Sequence, residues 1–138
     1  MRGRTLVLAV TVAACAVLSG CSDEGADRAA AAPAPGPTVT STAAPRDAAA
    51  LAERYRQAGG DTDVYGIEQV PGPGPDGASP LFVVHTHNPD TDDARFKRQA
   101  ASITAYLTLS EGVTLPHGYR MDVFGPDGRL LHRWDATA

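Results

Sequence analysis

His85 and His87 have the residue types and spacing best suited to chemistry in this chain. Side chains alternate across an extended strand, so His85-x-His87 puts both imidazoles on one face. A pair of neutral imidazoles placed that way can chelate Zn²⁺ or Cu²⁺. A closed zinc site needs more ligands than two, and no cysteine stands nearby, so Asp90, Asp92 or His132 would have to be brought in by the fold. Leu81 and Val83 share the same strand face, which suits equally a strand end that solvates two histidines without a metal.

Other spacings invite a ligand and fail on mechanism. Gly72-x-Gly74-x-x-Gly77 follows an apolar run, as a dinucleotide fingerprint does. Pro73 and Pro75, however, lack the N–H groups that would cradle a pyrophosphate, and the loop leads into a strand rather than a helix N-terminus. A Pro/Gly hairpin connection is the reading that remains. Asn88, Asp90 and Asp92 match alternate ligand positions of an EF-hand loop, but Asp93 stands where its turn needs Gly and Gln99 where it needs a bidentate Glu. Helix capping accounts for these acids. There is no Gly-x-Ser-x-Gly elbow. Asp61, Asp63 and His117 stand among turn residues, so no catalytic residue is assigned. A hydrolytic enzyme would require a His–Asp pair assembled by the fold alone, and ranks third among the functional readings.

The elements that must position these residues follow from periodicity. Ala48, Leu51, Tyr55 and Ala58 recur at helical spacing between Asp47 and Gly59-Gly60, which predicts a first helix. Val64–Val70 reads as a strand with Tyr65 and Ile67 on one side, and Leu81–His87 as a second strand antiparallel to it. Phe96, Ala100, Ile103 and Leu107 give the apolar stripe of a longer helix from Thr91 to Leu109, with Asp92 and Asp93 at its positive end. Tyr119–Phe124 and Arg129–Trp134 form a terminal hairpin around Pro126-Asp127-Gly128, a type I turn with Gly128 in the left-handed position. A three-residue loop faces Phe124 to Leu130, Asp122 to His132 and Arg120 to Trp134. The fold class expected is α+β, in the order α-β-β-α-β-β. The expected architecture is a four-stranded antiparallel sheet with two helices on one face, the order also obtained by permuting a split βαβ plan. Both faces of the last hairpin carry large apolar groups, so Tyr119, Phe124, Leu130 and Trp134 are the candidate partner surface.

The N-terminus supplies the most specific motif. Arg2 and Arg4 precede an uncharged apolar run, Thr5–Leu18, of 14 residues. That is short of the roughly 20 needed to span a bilayer as a helix. Leu18-Ser19-Gly20-Cys21 ends the run, and residues 1–21 resemble the signal and lipobox of bacterial lipoproteins. The resemblance implies cleavage before Cys21, a diacylglyceryl group on its thiol and acylation of the new amino terminus; no other cofactor is expected. Two or three acyl chains anchor stably where one does not. Residues 21–46, with Pro33, Pro35, Pro37 and Pro45 among Ala, Ser and Thr, read as a disordered tether, and 47–138 as one small domain. From Ser22 the tether could reach about 75 Å fully extended.

Loss of residues 1–20 leaves 10 basic against 16 acidic side chains, a formal −6. That balance disfavours nucleic acid and adsorption to anionic headgroups, so the lipid must do the holding. Cys15 leaves with the signal and Cys21 is consumed by lipid, so no disulfide is available. The expectation is a protein lipid-anchored on the outer face of the cell membrane, or at the outer membrane if the source has one. Its expected role is a non-catalytic module that binds an envelope protein or a small ligand. A metal-binding or metal-sensing domain using His85 and His87 is the contrasting reading.

Overall fold

A computed structural model describes residues 36–72 and 77–137. The lipobox, Cys21, the tether as far as residue 35 and the middle of the Gly/Pro loop, 73–76, lie outside the described residues.

Helix α1 spans Arg46–Gln57 and buries Ala48, Ala52 and Tyr55. Asp47 lies in its first turn rather than capping it, since Pro45 holds the cap position without a side-chain bond. Gly59, with φ 92°, takes the left-handed conformation just past the helix end. Helix α2 spans Asp93–Leu109, with Asp92 as a true N-cap accepting from the Arg95 N–H at 2.7 Å. All four residues of its expected stripe, Phe96, Ala100, Ile103 and Leu107, are buried.

Strands β1 (Val64–Val70), β2 (Leu81–Thr86), β3 (Arg120–Phe124) and β4 (Leu130–Asp135) lie side by side in sequence order. The α+β class and the element order stand as expected; the sheet itself is mixed. β1–β2 and β3–β4 are antiparallel hairpins, whereas β2 and β3 pair in parallel, Phe82 beside Met121 and Val84 beside Val123. Helix α2 is thus a crossover joining neighbouring parallel strands. A permuted split plan would have placed β4 between β2 and β3; here β4 is an edge.

One core joins both helices to one sheet face, through Ala52, Tyr55, Phe96, Ala100, Ile103 and Leu107 against Val64, Ile67, Phe82, Val84, Met121 and Val123. Two bulges decide what the other face carries. In β1 the register shifts between Val64 and Gly66, so Val64 and Ile67 both point to the core and Tyr65 is displaced from Ile67's side. In β3–β4 the expected Phe124–Leu130 pair is present, but a shift beside it pairs Asp122 with Arg133 and Arg120 with Asp135. His132 and Trp134 consequently move to the helix side, where Phe96 stacks on His132 at 4.3 Å and meets Trp134 edge-on.

The tether expectation also needs correcting, because residues 36–45 lie on the domain. Thr40 N–H donates to Gly128 O and Leu130 N–H to Thr38 O, and Val39 bridges Arg129 across the β4 edge. The segment then passes to β1, where Tyr65 Oη donates to Thr42 O at 2.9 Å. From β4 to β1 is three strand spacings, about 14 Å, and the five steps from Val39 to Ala44 extend roughly 16 Å. The segment therefore crosses the helix-free face from edge to edge.

Candidate functional site

One opening lies between the end of α1 and the side of α2. It is a cleft of about 310 Å³ lined by Tyr55, Asp61, Arg95, Arg98, Gln99 and Ser102. That volume is at the lower end of small-ligand sites. Its floor is Tyr55, whose hydroxyl pairs with Ser102 Oγ at 2.9 Å. Gly60 stands where any Cβ would strike the Tyr55 ring, so the chain can turn tightly over the floor.

The wall toward β1 is a charge network. Asp61 accepts from the Asp63 N–H and from Gln99 Nε2, each at 3.0 Å. Arg95 donates to Asp63 at 3.3 Å, which also accepts from Asn88 Nδ2 at 3.3 Å. The two aspartates thus neutralise Arg95, with one negative charge in excess. Arg98 is exposed and has no carboxylate partner among the described residues. The cleft therefore offers one uncommitted cation beside hydroxyl and amide groups. A second opening of about 220 Å³ shares Tyr55 and Ser102 and continues past Gly59, Gly60 and Leu109. Tyr106 lines it, and together with Arg54 donates to Glu111, holding the Glu111 pKa down at about 2. Ser102 Oγ is bonded to a tyrosine rather than to a histidine, so no histidine activates it as a nucleophile.

Sequence reasoning missed this site, although a signal was present. Arg95, Arg98, Gln99 and Ser102 follow i, i+3, i+4, i+7 spacing and form a polar stripe beside the apolar one. Asp61 and Asp63, in the turn before β1, carry no sequence signal beyond that of turn residues.

The residues singled out from sequence are distributed differently. His85 is buried, 2% exposed, on the helix-free face, and its Nδ1 has no hydrogen-bond partner. Burial lowers its pKa, with Glu68 opposing the shift. His87 lies beyond the end of β2 and is exposed, stacked on Tyr65 at 4.2 Å. His132 lies on the opposite sheet face from His85, and Asp90 and Asp92 are engaged in loop and cap hydrogen bonds. No three His, Cys, Asp or Glu side chains gather as a metal site among the described residues.

The expected partner patch is not one surface. Phe124 is buried, 1% exposed, and Leu130 half-buried, both on the face crossed by residues 36–45. Tyr119 packs against Phe82 in the core layer, and Trp134 is 37% exposed on the helix side. Alternation along the β3 segment sets Tyr119 and Phe124 on opposite faces, and the bulge beside Phe124 moves Trp134 to the helix side.

No helix among the described residues is long and apolar enough to cross a membrane. Comparison of the chain with protein-family models, with curated proteins and with solved structures found no match.

Proposed function

We propose that this chain is a lipid-anchored extracytoplasmic binding module. Cys21 carries the anchor, and the α1–α2 cleft takes a small anionic ligand. The observation that carries the ligand reading is Arg98, a cation without a carboxylate partner among the described residues, at the mouth of a cleft whose other cation, Arg95, is already paired. A carboxylate or phosphate would meet Arg98, and hydroxyl or amide groups of the ligand would exchange hydrogen bonds with Gln99, Ser102 and Tyr55. The burial of Phe124 and Leu130 favours this small-ligand reading over capture of a protein partner by the hairpin aromatics. The anchor reading rests on Leu18-Ser19-Gly20-Cys21 and the apolar run before it.

Titration of the isotopically labelled chain with inorganic phosphate, acetate and glucuronate, followed by NMR, tests the ligand class. Saturable shifts at the Gln99 and Ser102 amides are expected with at least one anion, and none with neutral glucose. Arg98→Ala should weaken that binding by about tenfold, the worth of one charge-assisted hydrogen bond. Absence of saturable shifts with all three anions would overturn the cleft assignment. The anchor is tested separately, by the mass of the N-terminal peptide and by membrane fractionation. Cys21→Ala should move the protein to the soluble fraction, and its continued sedimentation with membranes would refute the lipid reading.

A further inference from the structure

The segment over the helix-free face is held by few groups. It carries no titratable side chain from Gly36 to Pro45. Its backbone is held at both edges of the sheet by few bonds: Thr40 and Thr38 to the β4 edge, Pro37 O to Arg133 Nη2 at 3.0 Å, and Thr42 O to Tyr65. Two glycines make room for it. A Cβ on Gly128 would strike Thr40 O, and one on Gly66 would lie 2.6 Å from Ala44 Cβ and 2.9 Å from His85 Cδ2. The Gly66 contacts place His85 directly beside the segment's crossing point.

The surroundings of His85 define what a proton would do there. β1 presents Tyr65 and Gly66, with Glu68 one row along; β3 presents Phe124 and, one row along, Asp122, which Arg133 of β4 already grips. On its own strand His85 is followed by Thr86 and the exposed His87, and the overlying segment contributes only small neutral groups. Among the described residues no carboxylate pairs with the ring: Asp122 is held by Arg133, and Glu68 acts on it only from one row along. A protonated imidazole in that layer would be a buried cation without a hydrogen-bond acceptor at Nδ1.

We propose that residues 36–45 form an acid-released strap, docked over the sheet while His85 is neutral and released when His85 takes a proton. Release lets water reach the imidazolium and uncovers Tyr65 and Phe124. If the chain is anchored at Cys21, release also adds ten residues to the tether, roughly 30 Å at full extension. That consequence rests on the anchor reading, whereas the release itself does not. The direction follows from linkage. A histidine whose pKa burial holds below the ordinary 6.5 leaves the strap fully docked above that pH and weakens it as pH falls. Opening should rise by up to about tenfold between about pH 7.5 and about pH 5.5.

Hydrogen exchange of the full chain, corrected for intrinsic rates, reads this directly at the Thr40 and Leu130 amides. Both should lose protection by up to about tenfold on acidification while the Ile103 and Leu107 amides in α2 do not change. His85→Phe keeps an aromatic ring beside Tyr65 and Phe124 but cannot charge, and should abolish the pH dependence. Glu68→Gln removes the one charge that favours the protonated ring, and should shift release to lower pH. Strap protection that is independent of pH in the wild type would overturn the proposal. So would the same pH dependence in His85→Phe, or an unmoved midpoint in Glu68→Gln.

Discussion

Replacing Arg133 by Met should be among the most damaging single changes outside the hydrophobic core. Asp122 is 3% exposed on the helix-free face, and Arg133 clasps it with Nε and Nη2, both at 2.9 Å. The ion pair raises the Arg133 pKa, chiefly through the hydrogen bonds to Asp122. Removing the arginine strands a buried carboxylate, which typically costs about 3–5 kcal/mol. The Arg133 side chain is itself 20% exposed, so water can enter as it leaves, and about 3 kcal/mol is expected. With a urea m-value of about 1–3 kcal/mol/M, the midpoint falls by roughly 1–3 M. Asp122→Leu should cost less, about 1–2 kcal/mol, because the freed guanidinium can turn to solvent. The double variant Asp122→Leu/Arg133→Met should come within about 1 kcal/mol of wild type, since two apolar side chains can fill the same layer. Equilibrium urea unfolding of all four proteins, with equal m-values, gives the coupling energy. A cost below about 1 kcal/mol for Arg133→Met, or a double variant as unstable as the sum of the singles, would refute the reasoning.

Further expectations concern separate parts of the fold. Carboxyl NMR should find Glu111 titrating at about 2, and Arg54→Gln should move it toward the ordinary 4.5. Because that pKa is depressed in the folded chain, its stabilising effect is complete above 4.5 and fades as pH falls toward 2. Asp92→Ala removes the side-chain cap of α2 and should cost about 1 kcal/mol in thermal or urea unfolding. Phe96→Ala removes the ring between His132 and Trp134, and should cost about 3–5 kcal/mol. It should also red-shift emission from the chain's one tryptophan, a spectrum that an unperturbed Trp134 would leave in place.

Much of the fold was legible because local patterns and tertiary burial agree. The stripe Phe96, Ala100, Ile103, Leu107 could only make an amphipathic helix, and all four residues are buried. Turn chemistry likewise placed Gly128, which has φ 76°. The errors came where one residue changes a register. Period-two reasoning put Tyr65 with Ile67, and Asp122 opposite His132, but one bulge in each hairpin moved them. A bulge leaves little trace in side-chain type, since it is settled by which register packs best. The parallel β2–β3 pair was equally hidden, because composition distinguishes strands from helices but not which strand a crossover helix returns to.

The site illustrates the same division. The polar stripe from Arg95 to Ser102 was readable as helical spacing, but its meeting with Asp61 and Tyr55 needed α1 and α2 to be packed on one face. Residues 36–45 looked like solvated spacer because they have few apolar side chains and no periodicity. Their order comes instead from backbone hydrogen bonds to a sheet edge and from glycines at Gly66 and Gly128. By itself, the sequence determined the helices, the strands and their order, since these depend on periodicity and turn residues within short windows. The tertiary structure alone decided the mixed pairing, the Asp122–Arg133 pair, the burial of His85 and the docking of the strap. Each of those is a contact between segments far apart in the chain, and no local pattern encodes its free energy.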